Sequence, residues 1–337
     1  MVIRLITFQL LIIFSIFTAE LSEGYNAPFP KKPLRGSIGT SFLYWQAIQD
    51  GLEYGITNPA GRQVTPNPNG RILQQDFTYK PGFKIEASIF TSHDNWQIVS
   101  QYLRLHQSTT SSSSAPNSPI GSIYTLWLIS QNAGFANNAS AKWRLNFDQL
   151  DLELARSFYV GKELVFNAHF GTRANWIDQR YNIQYFNVFA KTGSTFSSKA
   201  VSFSKSNSWA LGPKGGINTN WLLGKGFRLI GKASASIVYT KFKTKHTEQS
   251  PSNSISQVNI KDDSSYLRPM AELGLGLGWG SFFKKESFFF DLSASYDFQV
   301  LGSQNMMQNL LNLSQGAGGG IGDLYFHGLS ATIRFDF

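Results

Sequence analysis

The chain has 337 residues, a formal charge of +9 and no cysteine, which excludes disulfides, thiolate chemistry and Cys-bound metal centres. Aromatic residues make up 15% and charged residues only 15%, whereas soluble domains carry roughly 25% charge. The positive balance points to anions such as lipopolysaccharide phosphates. With no basic block and no aromatic RNA-binding signature, it does not point to nucleic acid.

At the N-terminus, Arg4 precedes an apolar run from Leu5 to Phe17. The run is too short for a membrane helix and has the layout of a signal peptide. Residues 1–24 are therefore expected to be a signal, cleaved after Gly24 with Ser22 at −3, and 25–337 the mature protein. No later segment reaches the roughly 18 consecutive apolar residues of a membrane helix. An exported, aromatic-rich chain without such helices fits an outer-membrane β-barrel, in which lipid-facing residues alternate with lumen-facing ones.

Eight strands are predicted near 37–47, 80–90, 96–106, 141–154, 163–176, 208–222, 226–242 and 265–280. Pro213 and Pro269 cannot donate to a ladder, so bulges or strand ends are expected beside them. The alternation is strongest in the two strands that follow. Phe288, Phe290, Leu292, Ala294, Tyr296, Phe298 and Val300 interleave with Phe289, Asp291, Ser293, Ser295, Asp297 and Gln299, a period of two that sends the sets to opposite faces. The last strand repeats this from Leu329 to Phe337. A terminal phenylalanine closing such a strand resembles the signal read by the barrel-assembly machinery, which makes Phe337 a candidate assembly signal and that machinery an expected partner.

Short links at Thr91–Asn95, Phe158–Lys162, Gly224–Gly226 and Phe282–Glu286 alternate with long ones near 48–79, 107–140, 177–207, 243–264 and 302–323. That is the up-and-down pattern of tight periplasmic turns and long external loops. The fold expected is all-β, a transmembrane antiparallel up-and-down barrel of about ten strands by this pattern, or twelve if Ile123–Ile129 and Tyr181–Ala190 add a hairpin. Gln107–Pro119 and Gly316–Gly322 read as loops. Met306, Leu310 and Leu313 stand at helical spacing, so the stretch from Ser303 to Leu313 reads either as a short helix folded into the barrel mouth or as a disordered loop.

Phe42-Leu43-Tyr44-Trp45 with Asp50-Gly51-Leu52, Leu150-Asp151-Leu152-Glu153-Leu154, Phe158-Tyr159-Val160 and the run Phe170 to Gln179 carry a resemblance. The chain resembles the Legionella-type major outer membrane protein family of pore-forming barrels, also found in environmental chlamydiae, over nearly all of its mature length. The resemblance implies passive solute passage. The chlamydial cell-surface proteins compared with it usually carry cysteines, which this chain lacks.

By phase opposite the apolar faces, the pore-lining candidates are Arg173, Lys232, Arg268, Glu272, Asp291, Asp297 and Arg334. Their mixed signs would set up a transverse field across a narrow lumen. Lys241, Lys243 and Lys245 are expected near a strand end facing lipopolysaccharide. His93, His106, His169, His246 and His327 lack metal-ligand spacing, and Gly274, Gly276, Gly278 and Gly280 lack nucleotide-loop spacing. Asp148, Asp151 and Glu153 form an acidic cluster, read first as a polar lumen face and second as a calcium or acid/base site. No cofactor, metal or catalysis is expected. The leading expectation is a diffusion pore for small hydrophilic solutes; the alternative is a structural or adhesive surface barrel with ligand-binding external loops. Partners are outer-membrane lipid and lipopolysaccharide, and a homo-oligomer is a candidate assembly.

Overall fold

The computed structural model describes residues 35–337 except 62–69, 92–95, 118–119, 130–131, 191–195, 251–256, 284–286 and 317–320. The expected signal peptide, residues 92–95 and 284–286 of two short links, and parts of all five long connections lie outside the described residues. Ten strands close an antiparallel barrel: β1 (Gly36–Gln49), β4 (Tyr79–Phe90), β5 (Trp96–Ser114), β8 (Asn138–Val160), β9 (Leu164–Ala190), β10 (Phe196–Gly224), β11 (Phe227–Gln249), β12 (Val258–Phe283), β13 (Phe288–Leu301) and β14 (Leu324–Asp336). Each pairs with its neighbour, β9 pairs with β10, and β14 pairs with β1, so no edge remains in the wall. Four short strands, β2 (Gly55–Asn58), β3 (Ile72–Leu73), β6 (Ser122–Thr125) and β7 (Gly134–Ala136), extend from the outer end of β9 in the order β9-β7-β6-β2-β3.

The faces follow the alternation. On β13, Leu292, Ala294, Tyr296 and Phe298 are exposed while Asp291, Ser295, Asp297 and Gln299 are buried. The apolar face thus points out to lipid and the polar face into the barrel, the reverse of a soluble sheet. An outward aromatic row marks the outer membrane boundary. Trp176 on β9 stands directly opposite Trp209 on β10, with Tyr239, Tyr296 and Tyr44 exposed further round.

Three expectations are corrected by the strand lengths. A strand needs about 9–11 residues to cross a bilayer, yet β9, β10, β11 and β12 have 27, 29, 23 and 26. The wall continues through most of 177–207 and 243–264, which were read as loops. Tyr181–Ala190 is the continuation of β9 rather than an extra strand, so the barrel has ten strands and not twelve. Gln107–Ser114 likewise continues β5, paired residue for residue with Asn138–Leu145 of β8.

No bulge forms at either proline. Across Pro213 the β10–β11 register is unchanged, and Pro269 lies just past the last β12–β13 pair, Met270 with Leu301. The register shift in the β10–β11 ladder falls instead at Leu222–Gly224, beside the turn. The short helix is present as α1 (Met306–Ser314), capped by the Asn305 side chain on the Gln308 N–H. Its Met306, Met307, Leu310 and Leu311 are buried, and it packs against β10, β11 and β12.

Candidate functional site in the barrel lumen

The inward face changes chemistry partway along the barrel. On β8 it reads Glu153, Asp151, Gln149 and then Phe147, Leu145, Trp143; on β1 it reads Ser37, Gly39, Ser41 and then Leu43, Trp45, Ala47. The half nearer the chain termini is polar, and the outer half is apolar.

In the polar half the charges are paired. Arg228 on β11 meets Asp291 on β13 at 2.5 Å, reaching past β12 because that strand presents glycine inward: a Cβ on Gly278 would lie 2.8 Å from the guanidinium carbon. The glycine row is therefore a passage for side chains, not a ligand loop. Lys232 lies 3.4 Å from Asp297, which also accepts from Ser330, and Arg334 lies 2.9 Å from Asp336. Nearest the termini, Lys84 and Glu86 of β4 stay partly exposed inside the wall, as do Lys232 and Glu272.

Midway, a five-residue ionic cluster crosses the lumen. Arg173 on β9 grips Asp151 on β8 with Nε and a terminal nitrogen at 2.8 and 2.7 Å, and its other nitrogen reaches Glu272 on β12 at 2.6 Å. Lys214 on β10 adds contacts of 2.8 Å to Asp151 and 2.5 Å to Glu153. Arg173 and Asp151 are each 1% exposed at the side chain, so neither charge is hydrated and each depends on its partners. At the same level Gln299 on β13 donates to Gln149 on β8 at 2.7 Å. These strands are five apart in either direction round the barrel, so the bond spans a diameter.

Above this layer the lumen is filled. Phe147 stacks on Phe326 with ring centroids 4.6 Å apart, four strands away round the wall. Arg268 lies under the Tyr266 ring at 4.4 Å and beside the Met306 sulfur of α1. The segment after β1 runs inside the tall wall, held by Tyr181 donating to the Leu52 carbonyl and Tyr185 to the Tyr54 carbonyl, both at 2.6 Å. Small barrels commonly fill their interiors with side chains.

All seven residues singled out by phase, Arg173, Lys232, Arg268, Glu272, Asp291, Asp297 and Arg334, share the inward face. Arg173 and Glu272 touch directly, Lys232 pairs with Asp297, and Arg268 stands apart in the apolar half. Sequence reasoning missed Lys214, Gln149 and Gln299. Lys214 was obscured by the adjacent Pro213, which suggested a strand end; its parity with Asn218 and Asn220 on the inward face was the available signal. The acidic cluster divides: Asp151 and Glu153 point inward, but Asp148 points outward to Tyr102, His106 and Arg104. That opposite parity removes the calcium reading of the three as one site.

Ser204, His246 and Glu248 line up on β10 and β11, with Ser204 Oγ 2.8 Å from Nδ1 and Glu248 2.9 Å from Nε2. All three are fully or almost fully buried, and Glu248 also accepts from the Ile129 N–H and the Asn132 amide. The arrangement ties an inner segment to the wall.

No curated protein matches the chain. Among solved structures, the outer membrane protease OmpT of Escherichia coli aligns over 95% of this chain and all of its own, at 12% identity and TM-score 0.38. The toluene transporter TodX of Pseudomonas putida covers 93% of this chain and 92% of its own, at 7% identity and TM-score 0.39. A major outer membrane protein of Thermus thermophilus covers 89% and 99%, at 9% identity and TM-score 0.35. The family described as Legionella pneumophila major outer membrane protein matches residues 28–336. With a closed ten-strand barrel and family agreement over nearly its whole length, the chain is an outer-membrane protein and belongs to the Legionella major outer membrane protein family.

Proposed function

We propose that this barrel is a restricted pore, passing small hydrophilic solutes by passive diffusion and not acting as an enzyme. The observation that carries the reading is charge left partly exposed on the inward face: Lys84, Glu86, Lys232 and Glu272 are not fully buried inside an otherwise apolar-coated wall. A wall built only to fill itself gains nothing from partly exposed charges of both signs, since burying charge is costly even where it is paired. The obstruction above consists of side-chain contacts and of inserted segments, α1 and the stretch around Leu52–Tyr54, that are not strands of the wall. On this reading, conduction requires those contacts to part.

A second reading, a closed surface barrel whose outer rim binds host or envelope components, is favoured by the apolar filling of the outer half. Planar-bilayer recordings on refolded full-length protein decide between them. The pore reading expects small conductance steps from the natural chain and larger ones from Gln149→Ala with Gln299→Ala. Silence from both proteins, with folding verified by heat-modifiable migration, overturns it in favour of the closed barrel.

A further inference from the structure

The tall side of the wall carries an unusual row. Reading across five successive strands along the direction of their hydrogen bonds, Arg144 on β8 stands directly opposite Arg180 on β9, Arg180 opposite Lys205 on β10, Lys205 opposite Lys245 on β11, and Lys245 opposite Lys261 on β12. All five have the parity of the lipid-facing residues below them, Leu150, Trp176, Trp209, Tyr239 and Leu267, and so point outward. Like charges directly opposite one another weaken a sheet, and an unbroken row of five has no internal remedy. The two neighbouring rows add Lys142 and Lys243 and supply only Asp178 and Asp263 as carboxylates. Asp178 is already shared between Arg180 at 3.0 Å and Lys205 at 3.5 Å.

The position of the row identifies its counter-ion. On β9 it stands four residues beyond Trp176, about 14 Å along a strand and roughly 10 Å along the membrane normal for a strand tilted about 40°. Interfacial aromatics sit at the headgroup boundary, so Arg180 stands in the phosphate region of the outer leaflet, and the row crosses that region obliquely, changing height by about 3 Å per strand. With neighbouring strands about 4.8 Å apart, the row presents cations over roughly 19 Å of wall, enough to engage more than one phosphate at once.

We propose that Arg144, Arg180, Lys205, Lys245 and Lys261 form a binding strip for the phosphorylated headgroup of lipopolysaccharide. Arginine and lysine at regular spacing give charge-assisted bonds to phosphate oxygens, and the bound phosphates remove the repulsion along the row. The strip anchors one side of the barrel in the headgroup layer of the outer leaflet. This inference depends on the outer-membrane location and not on the pore reading, so a silent barrel leaves it intact.

The test compares diphosphorylated with dephosphorylated lipid A, incorporated in vesicles with the full-length natural protein, by the lipid retained after detergent extraction. At least tenfold more of the diphosphorylated form is expected, falling as salt rises. Arg144→Gln, Lys205→Gln, Lys245→Gln and Lys261→Gln together should abolish that preference, and Lys205→Arg, Lys245→Arg and Lys261→Arg together should keep it. Equal retention of the two lipids by the natural protein overturns the proposal whatever the variants do. Complete displacement of the diphosphorylated lipid by millimolar inorganic pyrophosphate also overturns it, because the strip would then be a site for free phosphate.

Discussion

Gln299 and Gln149 face each other from opposite ends of a barrel diameter, and the amide of one donates to the carbonyl oxygen of the other at 2.7 Å. One hydrogen bond therefore bisects the lumen. Gln149→Ala and Gln299→Ala remove the same contact, so their effects on passage should not add. Liposome swelling is expected to show faster entry of small sugars for either variant and little further gain for both. Additive gains would mean that each side chain obstructs the lumen separately.

Arg173 is held by two carboxylates at 2.7 Å or closer, and neither it nor Asp151 meets water. Removing one member of such a buried group leaves uncompensated charge and costs about 3–5 kcal/mol. Arg173→Ala should lower the urea unfolding midpoint of the refolded barrel far more than Arg334→Ala, whose partner Asp336 lies on the same strand and whose side chain is 35% exposed. Equal shifts would show that the central cluster has no special weight.

Phe337 seals the seam between the first and last strands. Its N–H donates to the Gly36 carbonyl at 2.9 Å, its own carbonyl accepts from Arg35 and Gly36, and its ring faces outward. Deleting it, or replacing it with a charged residue, should reduce assembly into the outer membrane without reducing export. Fractionation reads this directly; normal outer-membrane abundance with heat-modifiable migration would contradict it.

The inner parts of the strands were legible in the sequence, and their outer ends were not, for a physical reason visible on β9. Within the membrane its apolar residues point outward, as Phe170 and Trp176 do. Beyond Trp176 the outward positions become Asp178, Arg180, Asn182 and Gln184, while Ile177, Tyr181, Ile183 and Tyr185 turn into a filled interior. The strand continues, but its apolar face has changed sides because water has replaced lipid outside. Alternation read as one constant phase ends at the switch, where the expected strand stopped at residue 176. The lumen charges were legible by parity alone, since Asp291 and Asp297 alternate with lipid-facing neighbours. Which charges would meet was not, because Arg173, Lys214 and Glu272 are brought together only when the wall closes.

Leu292 and Ser293 are adjacent on β13 but face lipid and lumen respectively. Arginine on the lipid face near the midplane costs about 2–4 kcal/mol. Leu292→Arg should therefore give much less folded protein than Ser293→Arg in parallel refolding trials. Comparable yields would place the lipid-facing side of this strand wrongly.

Ion selectivity tests where the net charge of +9 acts. Inside the lumen the charges nearly cancel: Arg228 with Asp291, Lys232 with Asp297, Arg334 with Asp336, and Arg173 and Lys214 against Asp151, Glu153 and Glu272. Lys241, Lys243 and Lys245, by contrast, lie on the outward face of β11 beyond Tyr239, in the headgroup zone on the side of the external mouth. A modest anion preference, expected from the overall balance, should then arise at the mouth and not at the constriction. The two origins respond differently to salt, since screening acts over about 10 Å at 0.1 M and about 3 Å at 1 M. Reversal potentials in bilayers free of phosphorylated glycolipid should show weak anion preference at the lower concentration and almost none at the higher. Lys241→Gln with Lys243→Gln should remove most of the low-salt effect, because those side chains touch the mouth's field and no lumen partner. A preference of either sign that persists at 1 M would locate selectivity among the paired lumen residues and contradict their mutual neutralisation.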